Sequence, residues 1–296
     1  MSLPPPSSSS ALVQRLRARE FVLAPGVYDA LSAALVERAG FCAAYLSGAS
    51  LAYTRLGRPD IGLPGLTELA DTLANIRERV ELSLIVDADT GFGNAINVQR
   101  TIRLLESRGA TAVQLEDQQS PKRCGHLAGK SVIGWREMTG KLRAACDARR
   151  STDTLLVART DALAIEGLDA ALERAERYLE AGADVLFVEA LPDESAMRQT
   201  LARFAGRVPV LANVVEGGRS PCLPAAELEA MGFALAIFPG SLVRMQTAAA
   251  IACLEALQRD GSTAAVRERM LDFRQLNALL GTEVLLETGK RYDDAP

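Results

Sequence analysis

The sequence contains a single histidine, His126, among 296 residues, and its five cysteines are scattered without paired spacing. Isolated cysteines in a chain of this size argue against a structural zinc site or a disulfide framework, and they predict a reducing compartment such as the cytoplasm. No apolar run approaches the roughly 20 residues that cross a bilayer. The formal net charge is only −4, which gives no reason to expect a nucleic acid or an anionic membrane as a partner.

Residues 1–10 are rich in proline and serine, and they lack the charged and apolar segments of a signal peptide. This composition predicts a disordered leader. The remainder has an ordinary globular composition, since 48% of the chain is hydrophobic and 24% is charged. We therefore expect one domain over residues 11–296, with C-terminal helices from about residue 241.

Eight short apolar runs recur along the chain, separated by stretches long enough for helices. Several of these runs follow a helix-like stretch that ends in glycine, the expected C-terminal stop of a helix. The runs are continuous rather than alternating, as is typical of strands buried on both faces. They span residues 21–26, 42–47, 83–89, 112–116, 155–161, 185–189, 208–214 and 234–238.

Eight strands alternating with helices predict a (β/α)8 TIM barrel of the α/β class, followed by a C-terminal helical extension. A doubly wound open sheet is the competing architecture, and it is disfavoured because no Gly-x-Gly-x-x-Gly motif follows the first strand. Helical periodicity marks residues 67–79, 94–108 and 168–181. Beyond Gly240, the stretches 241–258 and 266–286 are also predicted to be helical, and the second of them would cap the barrel or pack on a neighbouring subunit.

Carboxylates close several of the apolar runs, at the end of the barrel where active sites gather. Asp87 and Asp89 are two residues apart and would share one face of a strand, and Glu116 ends the next run. Like charges this close need a cation, and hard oxygen ligands favour Mg2+ or Mn2+ over zinc. Polar residues also mark strand ends in general, but burying several carboxylates without a cation is costly.

Other polar groups fall at the same end of the predicted barrel. Arg159 lies near the end of the fifth run, where its guanidinium suits a substrate carboxylate. Ser47, Gly48 and Ala49 follow the second run and offer a hydroxyl and backbone N–H groups to a second anionic group. These groups together predict a divalent cation that binds a 2-oxo or 2-hydroxy carboxylate and stabilises an enolate.

The segment Lys122-Arg123-Cys124-Gly125-His126 brings two cations, a thiol, a glycine and an imidazole together. Gly125 and Gly129 predict a loop. The neighbouring cations and imidazole are expected to lower the pKa of the Cys124 thiol. The pentapeptide alone fits a solvated basic loop equally well, but beside the acidic strand ends it predicts a mobile loop that exchanges a proton with the substrate.

The segments 87–93, 114–118 and 122–126 together resemble the isocitrate lyase/phosphoenolpyruvate mutase superfamily, and the resemblance extends over about residues 27–261. The loop with Cys124 is similar to the lyase branch, which contains isocitrate, 2-methylisocitrate and 2,3-dimethylmalate lyases together with oxaloacetate hydrolase. It differs from the phosphonomutase branch, which lacks that cysteine. The resemblance implies a barrel whose eighth helix is exchanged between subunits, within a homotetramer that is a dimer of dimers.

The resemblance also implies roles for individual residues. It implies Mg2+ near Asp87, Asp89 and Glu116, and it implies that Cys124 is the acid that protonates the departing carbanion. The remaining catalytic residues are Tyr45 and Asp60, placed near the reacting hydroxyl, and Arg123 and His126, which stabilise the product. The remaining substrate-binding residues are Lys122, Gly125, Arg159, Glu189, Asn213, Glu216 and Pro239, in addition to Ser47, Gly48 and Ala49.

The segment 213–221 distinguishes between members of the branch. Methylisocitrate lyases typically carry Glu-Phe-Gly where this chain has Glu216-Gly217-Gly218, and Phe238-Pro239 departs from their pattern as well. The first departure resembles the dimethylmalate lyase type, and the second resembles both the dimethylmalate lyases and the oxaloacetate hydrolases. The predicted substrate is therefore a small di- or tricarboxylate, with a substituted malate favoured over methylisocitrate, and the predicted product is pyruvate or another 2-oxo acid.

Three other functions remain as alternatives on the sequence alone. Hydrolysis or decarboxylation of oxaloacetate would use the same site, and Cys124 would matter less to it. Phosphonate chemistry of the mutase type is more remote. A barrel that only binds a metabolite is disfavoured, because both the acidic strand ends and the cysteine loop are intact.

Overall fold

The computed structural model describes residues 8–293 of the chain. Most of the predicted leader lies outside the described residues, and helix α1 (Ser8–Arg17) already includes the last three positions of it. The chain divides into two compact units, with the boundary between Val243 and Arg244. The first unit holds the barrel and the predicted site residues, and the second consists of the C-terminal helices from Arg244 onward.

The first unit contains eight parallel strands that form a TIM barrel, as predicted. The strands are β1 (Val22–Val27), β2 (Ala43–Leu46), β3 (Ser83–Asp87), β4 (Ala112–Glu116), β5 (Leu155–Thr160), β6 (Val185–Val188), β7 (Leu211–Asn213) and β8 (Leu235–Phe238). Successive strands pair from β1 to β6, and β8 pairs with both β1 and β7. A parallel bridge between Leu186 and Val210 spans the remaining gap between β6 and β7.

Most strands are shorter than the predicted runs, and the structure gives a physical reason for two of them. Strand β7 covers only Leu211–Asn213 of the predicted 208–214, because Pro209 has no N–H to donate to a neighbouring strand. Strand β3 ends at Asp87 rather than at Asp89, because Asp89 adopts a left-handed backbone with φ 48°. The two aspartates therefore do not share a strand face, and a turn determines their relative position.

The helices of the first unit agree with the predicted ones to within one residue at each end, where a prediction was made. Asn94 caps one of them by accepting from the amides of Ile96 and Asn97. The helices that follow α1 in the first unit are α2 (Ala30–Arg38), α3 (Gly48–Leu51), a π-helix (Ala52–Leu56), α4 (Leu66–Arg79), α5 (Ala95–Ser107), α6 (Trp135–Ala148), α7 (Leu163–Glu166), α8 (Leu168–Glu180), α9 (Glu194–Phe204) and α10 (Ala225–Met231).

The apolar core of the first unit has two layers. The inner layer fills the barrel with strand residues such as Ile85 and Phe187, and Leu12 and Leu16 of α1 pack against the amino-terminal part of it. The outer layer lies between the strands and the surrounding helices. Since α1 covers one end of the barrel, only the carboxyl ends of the strands remain open for a site.

The C-terminal helices begin where the sequence placed them. Helix α11 (Ser241–Asp260) is followed by a 3-10 helix (Ala264–Arg269), α12 (Phe273–Leu280) and α13 (Thr282–Asp293). The predicted single stretch 266–286 is interrupted twice, because Asp272 caps α12 and Gly281 turns the chain with φ 78°. Among residues 8–293, no helix is long and apolar enough to cross a membrane.

Candidate active site

The predicted site residues gather at the carboxyl ends of the barrel strands. Asp87, Glu116 and Asn213 are the last residues of β3, β4 and β7, and Arg159 and Glu189 lie at the ends of β5 and β6. The carboxyl ends of parallel strands meet at one rim of a barrel. The fold therefore brings these residues into one cluster.

Asp87 and Asp89 converge on the backbone of Gly48. The Gly48 amide donates to Oδ2 of Asp87 at 3.3 Å, and a methyl group added at Gly48 would lie 3.2 Å from a carboxylate oxygen of each aspartate. Oδ1 of Asp87 accepts from Nε2 of Gln114 at 3.0 Å. The two carboxylates thus share one side of the rim, although a turn rather than strand alternation brings them together.

The carboxylates have properties that fit a bound cation. Oε1 of Glu116 is buried and accepts no hydrogen bond, whereas Oε2 of Glu116 lies 3.1 Å from Nη1 of Arg159 and Oδ1 of Asp89 lies 2.8 Å from Nζ of Lys122. Burial raises the pKa of Asp89 to about 6 although Lys122 opposes the shift, and burial raises the pKa of Glu116 well above its usual range. Buried carboxylates of this kind are stabilised by additional positive charge.

The carboxylates are not arranged as a direct ligand cage. Among residues 8–293, no group of three or more His, Cys, Asp or Glu side chains lies close enough together to hold one metal ion. Mg2+ keeps several of its waters in proteins and takes only one or two carboxylates directly. The residues present therefore fit a hydrated hard cation better than a cation that they would ligate directly.

Two cationic side chains lie against the carboxylates. Nζ of Lys122 is 2.5 Å from Oδ1 of Asp60 and 2.8 Å from Oδ1 of Asp89. Burial lowers the pKa of Lys122, but Asp89 and Asp60 outweigh it and raise the pKa well above the usual range. Lys122 is therefore a permanent ammonium that joins the cysteine loop to the rim.

Arg159 contacts three carboxylates from three strands. It lies 3.1 Å from Glu116, 2.9 Å from Asp161 and 3.6 Å from Glu189. Burial opposes its charge, but these carboxylates raise the pKa of Arg159 well above its usual range. It also lies over the Phe187 ring at 5.2 Å. A substrate carboxylate that reaches this guanidinium would meet a group that is already fixed in place.

The segment with Cys124 is a loop, as predicted, and it is fastened at several points. The Cys124 amide donates to the Asp60 carbonyl at 3.1 Å. The side chain of Gln118 holds the preceding residue twice, accepting from the Arg123 amide at 2.9 Å and donating to the Arg123 carbonyl at 2.8 Å. A methyl group added at Gly125 would lie 2.6 Å from Nη2 of Arg159. The loop is therefore seated directly on the rim cluster.

The structure contradicts the expected lowering of the Cys124 pKa. Burial raises the pKa of this thiol, and Asp60 and Glu189 add to the shift, while the His126 amide and Arg159 oppose it. The positive charge of Lys122 is offset by its carboxylate partners, so it does not stabilise a thiolate. The guanidinium of Arg123 donates to the Ala128 carbonyl at 3.3 Å instead of contacting the thiol. Cys124 is thus held as a protonated thiol, the form required of a proton donor.

His126 has a defined orientation between two segments. Nδ1 accepts from the Arg219 amide at 2.9 Å, so Nε2 carries the ring proton. Nε2 lies 3.1 Å from Oε1 of Glu189. Burial raises the pKa of Glu189, but Arg159 and His126 outweigh it and lower the value to about 2. His126 therefore links the cysteine loop to the segment after β7 and to a permanently charged glutamate.

The remaining predicted residues have local partners. The Ser47 hydroxyl accepts from the Ser50 amide at 3.2 Å and caps α3, which includes Gly48 and Ala49. The Tyr45 hydroxyl donates to Oε1 of Gln114 at 2.9 Å, and burial raises its pKa well above the usual range. Tyr45 is therefore a hydrogen-bond donor and not a base.

The segments that suggested substrate preference lie near the rim. Glu216 accepts from the Ser241 hydroxyl at 2.5 Å, and the Pro239 carbonyl accepts from the Ser50 hydroxyl at 2.8 Å. Nδ2 of Asn213 lies 3.2 Å from Oε2 of Glu189, whereas its buried Oδ1 accepts no hydrogen bond. The unsatisfied oxygen of Asn213 is a candidate contact for a substrate donor.

Sequence reasoning assigned no role to several residues of the cluster. Gln114 and Asp161 lie two positions from Glu116 and Arg159, and strand alternation could have shown that each pair shares a face. Asp117 offered no such signal. It is buried behind the rim, where it accepts from the Asp161 amide at 2.8 Å and from the Tyr178 hydroxyl at 2.7 Å. This residue fixes Asp161, and hence Arg159, from behind.

Comparison with known proteins connects this site to one group of enzymes. Residues 13–258 match the family model described as phosphoenolpyruvate phosphomutase. The chain is 41% identical to 2,3-dimethylmalate lyase of Eubacterium barkeri over 97% of this chain and 98% of that protein. It is 43% identical to 2-methylisocitrate lyase of Aeropyrum pernix over 91% of this chain and 86% of that protein.

Solved structures share the whole fold. A crystal structure of 2,3-dimethylmalate lyase, a PEP mutase/isocitrate lyase superfamily member, superimposes with a TM-score of 0.92 at 34% identity, covering 98% of this chain and 96% of that one. Oxaloacetate acetylhydrolase with 3,3-difluorooxalacetate gives 0.91 at 32% identity, covering 98% and 99%. Phosphonopyruvate hydrolase with oxalate and Mg2+ gives 0.88 at 27% identity, covering 97% and 99%.

Proposed function

Because the chain belongs to the phosphoenolpyruvate mutase/isocitrate lyase superfamily, we propose that it is a metal-dependent carbon–carbon lyase. It would cleave a substituted 2-hydroxy dicarboxylate into pyruvate or another 2-oxo acid and a short carboxylate. The observation that carries this proposal is the position of Cys124, a protonated thiol on a loop seated over buried carboxylates and Arg159. An acid in this place can protonate the carbon that loses its bond.

The rim residues would bind the two ends of the substrate. Arg159 would pair with one carboxylate, and the unsatisfied Oδ1 of Asn213 would accept from a water bound beside the substrate. Backbone and hydroxyl groups of Ser47, Gly48 and Ala49 would contact the 2-hydroxy carboxylate end. The remaining proposed contacts are Lys122, Gly125, Glu189, Glu216 and Pro239.

Asp87, Asp89 and Glu116 would hold the metal ion, in part through water. Hard oxygen donors without a nitrogen or sulfur partner favour Mg2+, with Mn2+ as a possible substitute. When bound, the ion would supply positive charge that offsets the negative charge on the deprotonated C2 oxygen and on the adjacent carboxylate of the substrate. The observation that supports this assignment is the buried Oε1 of Glu116, which accepts no hydrogen bond, together with the buried carboxylates of Asp87 and Asp89.

The reaction would proceed as a retro-aldol cleavage with two proton transfers. The substrate hydroxyl proton passes to Asp60, which lies beside Lys122 and close to the Cys124 amide. The C2–C3 bond then breaks, and C3 takes the proton from the Cys124 thiol. His126 and Arg123 would stabilise the short carboxylate, and Tyr45 would donate a hydrogen bond through Gln114 to the carboxylate cluster. Exchange with water afterwards restores the Asp60 carboxylate and the Cys124 thiol.

The segment after β7 supports a substituted malate as the substrate. A side chain at Gly217 would meet open space, and a side chain at Gly218 would lie 2.8 Å from Nδ1 of His126. The absence of a large side chain at Gly217 distinguishes this chain from the Glu-Phe-Gly pattern. We therefore place 2,3-dimethylmalate before 2-methylisocitrate.

A panel of substrates tests the proposed function. The purified protein with Mg2+ is incubated separately with 2,3-dimethylmalate, 2-methylisocitrate, isocitrate and oxaloacetate, and pyruvate is followed with lactate dehydrogenase. Pyruvate from 2,3-dimethylmalate is the expected result. Pyruvate from 2-methylisocitrate alone would retain the lyase but overturn the substrate preference, and inactivity toward all three hydroxy acids would overturn the lyase.

Oxaloacetate hydrolysis is the second candidate, and the fold similarity to oxaloacetate acetylhydrolase favours it specifically. Release of oxalate and acetate from oxaloacetate would identify this activity, whereas release of carbon dioxide would identify a decarboxylase. Phosphonate chemistry of the mutase type stays the most distant alternative. In each of these reactions the proposed metal site would be the same.

We also propose that the chain forms a homo-oligomer in the cytoplasm. The barrel unit has an apolar groove of about 320 Å3 that is lined by Leu23, Leu35, Phe41 and Phe238 among others. The C-terminal helices expose Leu254 and Phe273, and a second copy of the chain would cover such surfaces. Exchange of a helix within a dimer of dimers stays a prediction, which light scattering and cross-linking can test. The five free cysteines agree with a reducing compartment.

A further inference from the structure

Lys130 lies at the C-terminal end of the cysteine loop, and its ammonium is buried. Nζ lies 2.8 Å from Oδ1 of Asp161, with 2% of the lysine side chain exposed and none of the aspartate side chain. The same ammonium donates to the carbonyl of Gly125, the residue next to Cys124. An ammonium withdrawn from water in this way must be held by its partners.

The contact with Gly125 closes the tip of the loop on itself. The Leu127 amide donates to the Cys124 carbonyl at 2.9 Å, which forms a tight turn directly after the thiol. Gly129 adopts a left-handed backbone with φ 76°, which brings Lys130 back beneath this turn. One side chain thus connects the end of the loop with the residue beside the thiol.

The contact with Asp161 attaches the loop to a part of the barrel that cannot move with it. The Asp161 amide donates to Oδ1 of Asp117, and Asp117 also accepts from the hydroxyls of Thr160 and Tyr178 at 2.7 Å each. The Asp161 carboxylate also accepts from Nε and Nη2 of Arg159 at 2.9 and 3.1 Å. Asp161 is therefore shared between the loop and the proposed substrate-binding guanidinium.

We propose that Lys130 is a positioning residue that holds Cys124 over the rim by fastening the loop to Asp161. Through the shared Asp161 carboxylate, the placement of the acid is tied to the placement of Arg159. This inference rests on the proposed role of Cys124 as the acid. It does not depend on which 2-hydroxy acid is the substrate.

The test compares Lys130→Met with wild type in the full-length protein, using Lys290→Met as the matched control. Lys290 pairs with Glu287 on an exposed helix, so its substitution removes the same charge without affecting the loop. The rate of alkylation of Cys124 by iodoacetamide is measured by peptide mass spectrometry, without substrate. Cys146, whose Sγ lies 3.5 Å from the Gly182 carbonyl, reports general loosening of the fold in the same sample.

Release of the loop exposes Cys124 to water, so Lys130→Met is expected to raise the alkylation rate of Cys124 about tenfold. The alkylation rate of Cys146 in this variant, and that of Cys124 in Lys290→Met, are expected to equal the wild-type rates. In the substrate assay, kcat is expected to fall about 100-fold with little change in KM, because the acid is misplaced while Glu116 and Glu189 still hold Arg159. Lys130→Arg is expected to recover part of kcat.

An unchanged alkylation rate of Cys124 in Lys130→Met would overturn the proposal. A parallel increase at Cys146 would also overturn it, because Lys130 would then only stabilise the fold. If Lys130→Met does not fold, Lys130→Gln, which keeps a hydrogen-bond donor, is measured in the same way with the same criteria. The alkylation result does not require turnover, so it distinguishes a wrong role for Lys130 from a wrong assignment of the enzyme.

Discussion

Glu116 and Arg159 are register partners at the carboxyl ends of β4 and β5, and Nη1 of the arginine lies 3.1 Å from Oε2 of the glutamate. Both side chains are almost completely buried. The pairing places one positive group among Glu116, Asp161 and Glu189, three carboxylates that belong to three consecutive strand ends. Three carboxylates therefore share one guanidinium, and each member of the cluster depends on the others.

The first prediction is that Arg159→Met destabilises the protein, because it leaves these three carboxylates buried without their common cation. Loss of one partner from a buried ion pair costs about 3–5 kcal/mol. Urea unfolding at neutral pH measures this change in the free energy of unfolding. The control is Arg198→Met, which breaks an exposed helical pair with Glu194 and is expected to change stability by less than about 0.5 kcal/mol. Equal stabilities for the two variants would show that the cluster does not need Arg159.

The second prediction concerns the metal ion. Treatment with a chelator is expected to abolish turnover, and added Mg2+ or Mn2+ is expected to restore it. Glu116→Gln keeps the shape of the side chain but removes its charge, so it is expected to raise the Mg2+ concentration for half-maximal activity about 10- to 100-fold. The exposed Glu268→Gln serves as the control. Full activity of the chelated wild-type protein would rule out a metal requirement.

The third prediction follows from the burial of Cys124. Since burial raises the pKa of this thiol above the ordinary cysteine value of 9.0, its alkylation rate is expected to rise with pH with a midpoint above that value. The thiol is then protonated throughout the neutral range, as an acid must be. Peptide mass spectrometry after iodoacetamide treatment between pH 7 and a more alkaline limit of about 10.5 measures the profile. A midpoint near neutral pH would instead favour a thiolate and a nucleophilic role.

The fourth prediction is that Gly218→Ala lowers kcat without unfolding the protein. A methyl group at this position would lie 2.8 Å from Nδ1 of His126 and 2.9 Å from the Val215 carbonyl oxygen, so it would displace the imidazole from the Arg219 amide and from Glu189 and shift the local turn. Gly206→Ala is the matched control, because a methyl group there contacts nothing within 4 Å. Thermal unfolding is expected to be similar for both variants. A wild-type kcat for Gly218→Ala would show that the position of His126 does not affect catalysis.

The sequence was sufficient to predict the barrel and most of the rim. The strands are buried on both faces, which explains the continuous apolar runs. The barrel is open at the carboxyl ends of the strands, which explains why runs end in Asp87, Glu116 and Glu189. Strand alternation was the wrong basis for pairing Asp87 with Asp89, because the left-handed backbone at Asp89 is a local feature that its residue type does not specify.

The electrostatics of the cysteine loop were not predictable from sequence neighbours. Lys122 and Arg123 flank Cys124 in the chain, but in the fold Lys122 is paired with Asp60 and Asp89, and Arg123 contacts Ala128. Burial then dominates the pKa of the thiol and reverses the expected shift. The pairing of Lys130 with Asp161 was missed for a related reason, since the two residues are 31 positions apart and only the folded loop brings them together.

The most direct test of the proposed mechanism is the turnover of 2,3-dimethylmalate by Cys124→Ser in the presence of Mg2+, compared with wild type and with the exposed Cys222→Ser as control. Loss of the acid is expected to lower kcat by about 100- to 10,000-fold. Binding of pyruvate and Mg2+, measured by calorimetry, is expected to stay close to wild type, because Arg159 and the rim carboxylates are unchanged. A Cys124→Ser protein that forms pyruvate at the wild-type rate would contradict the account.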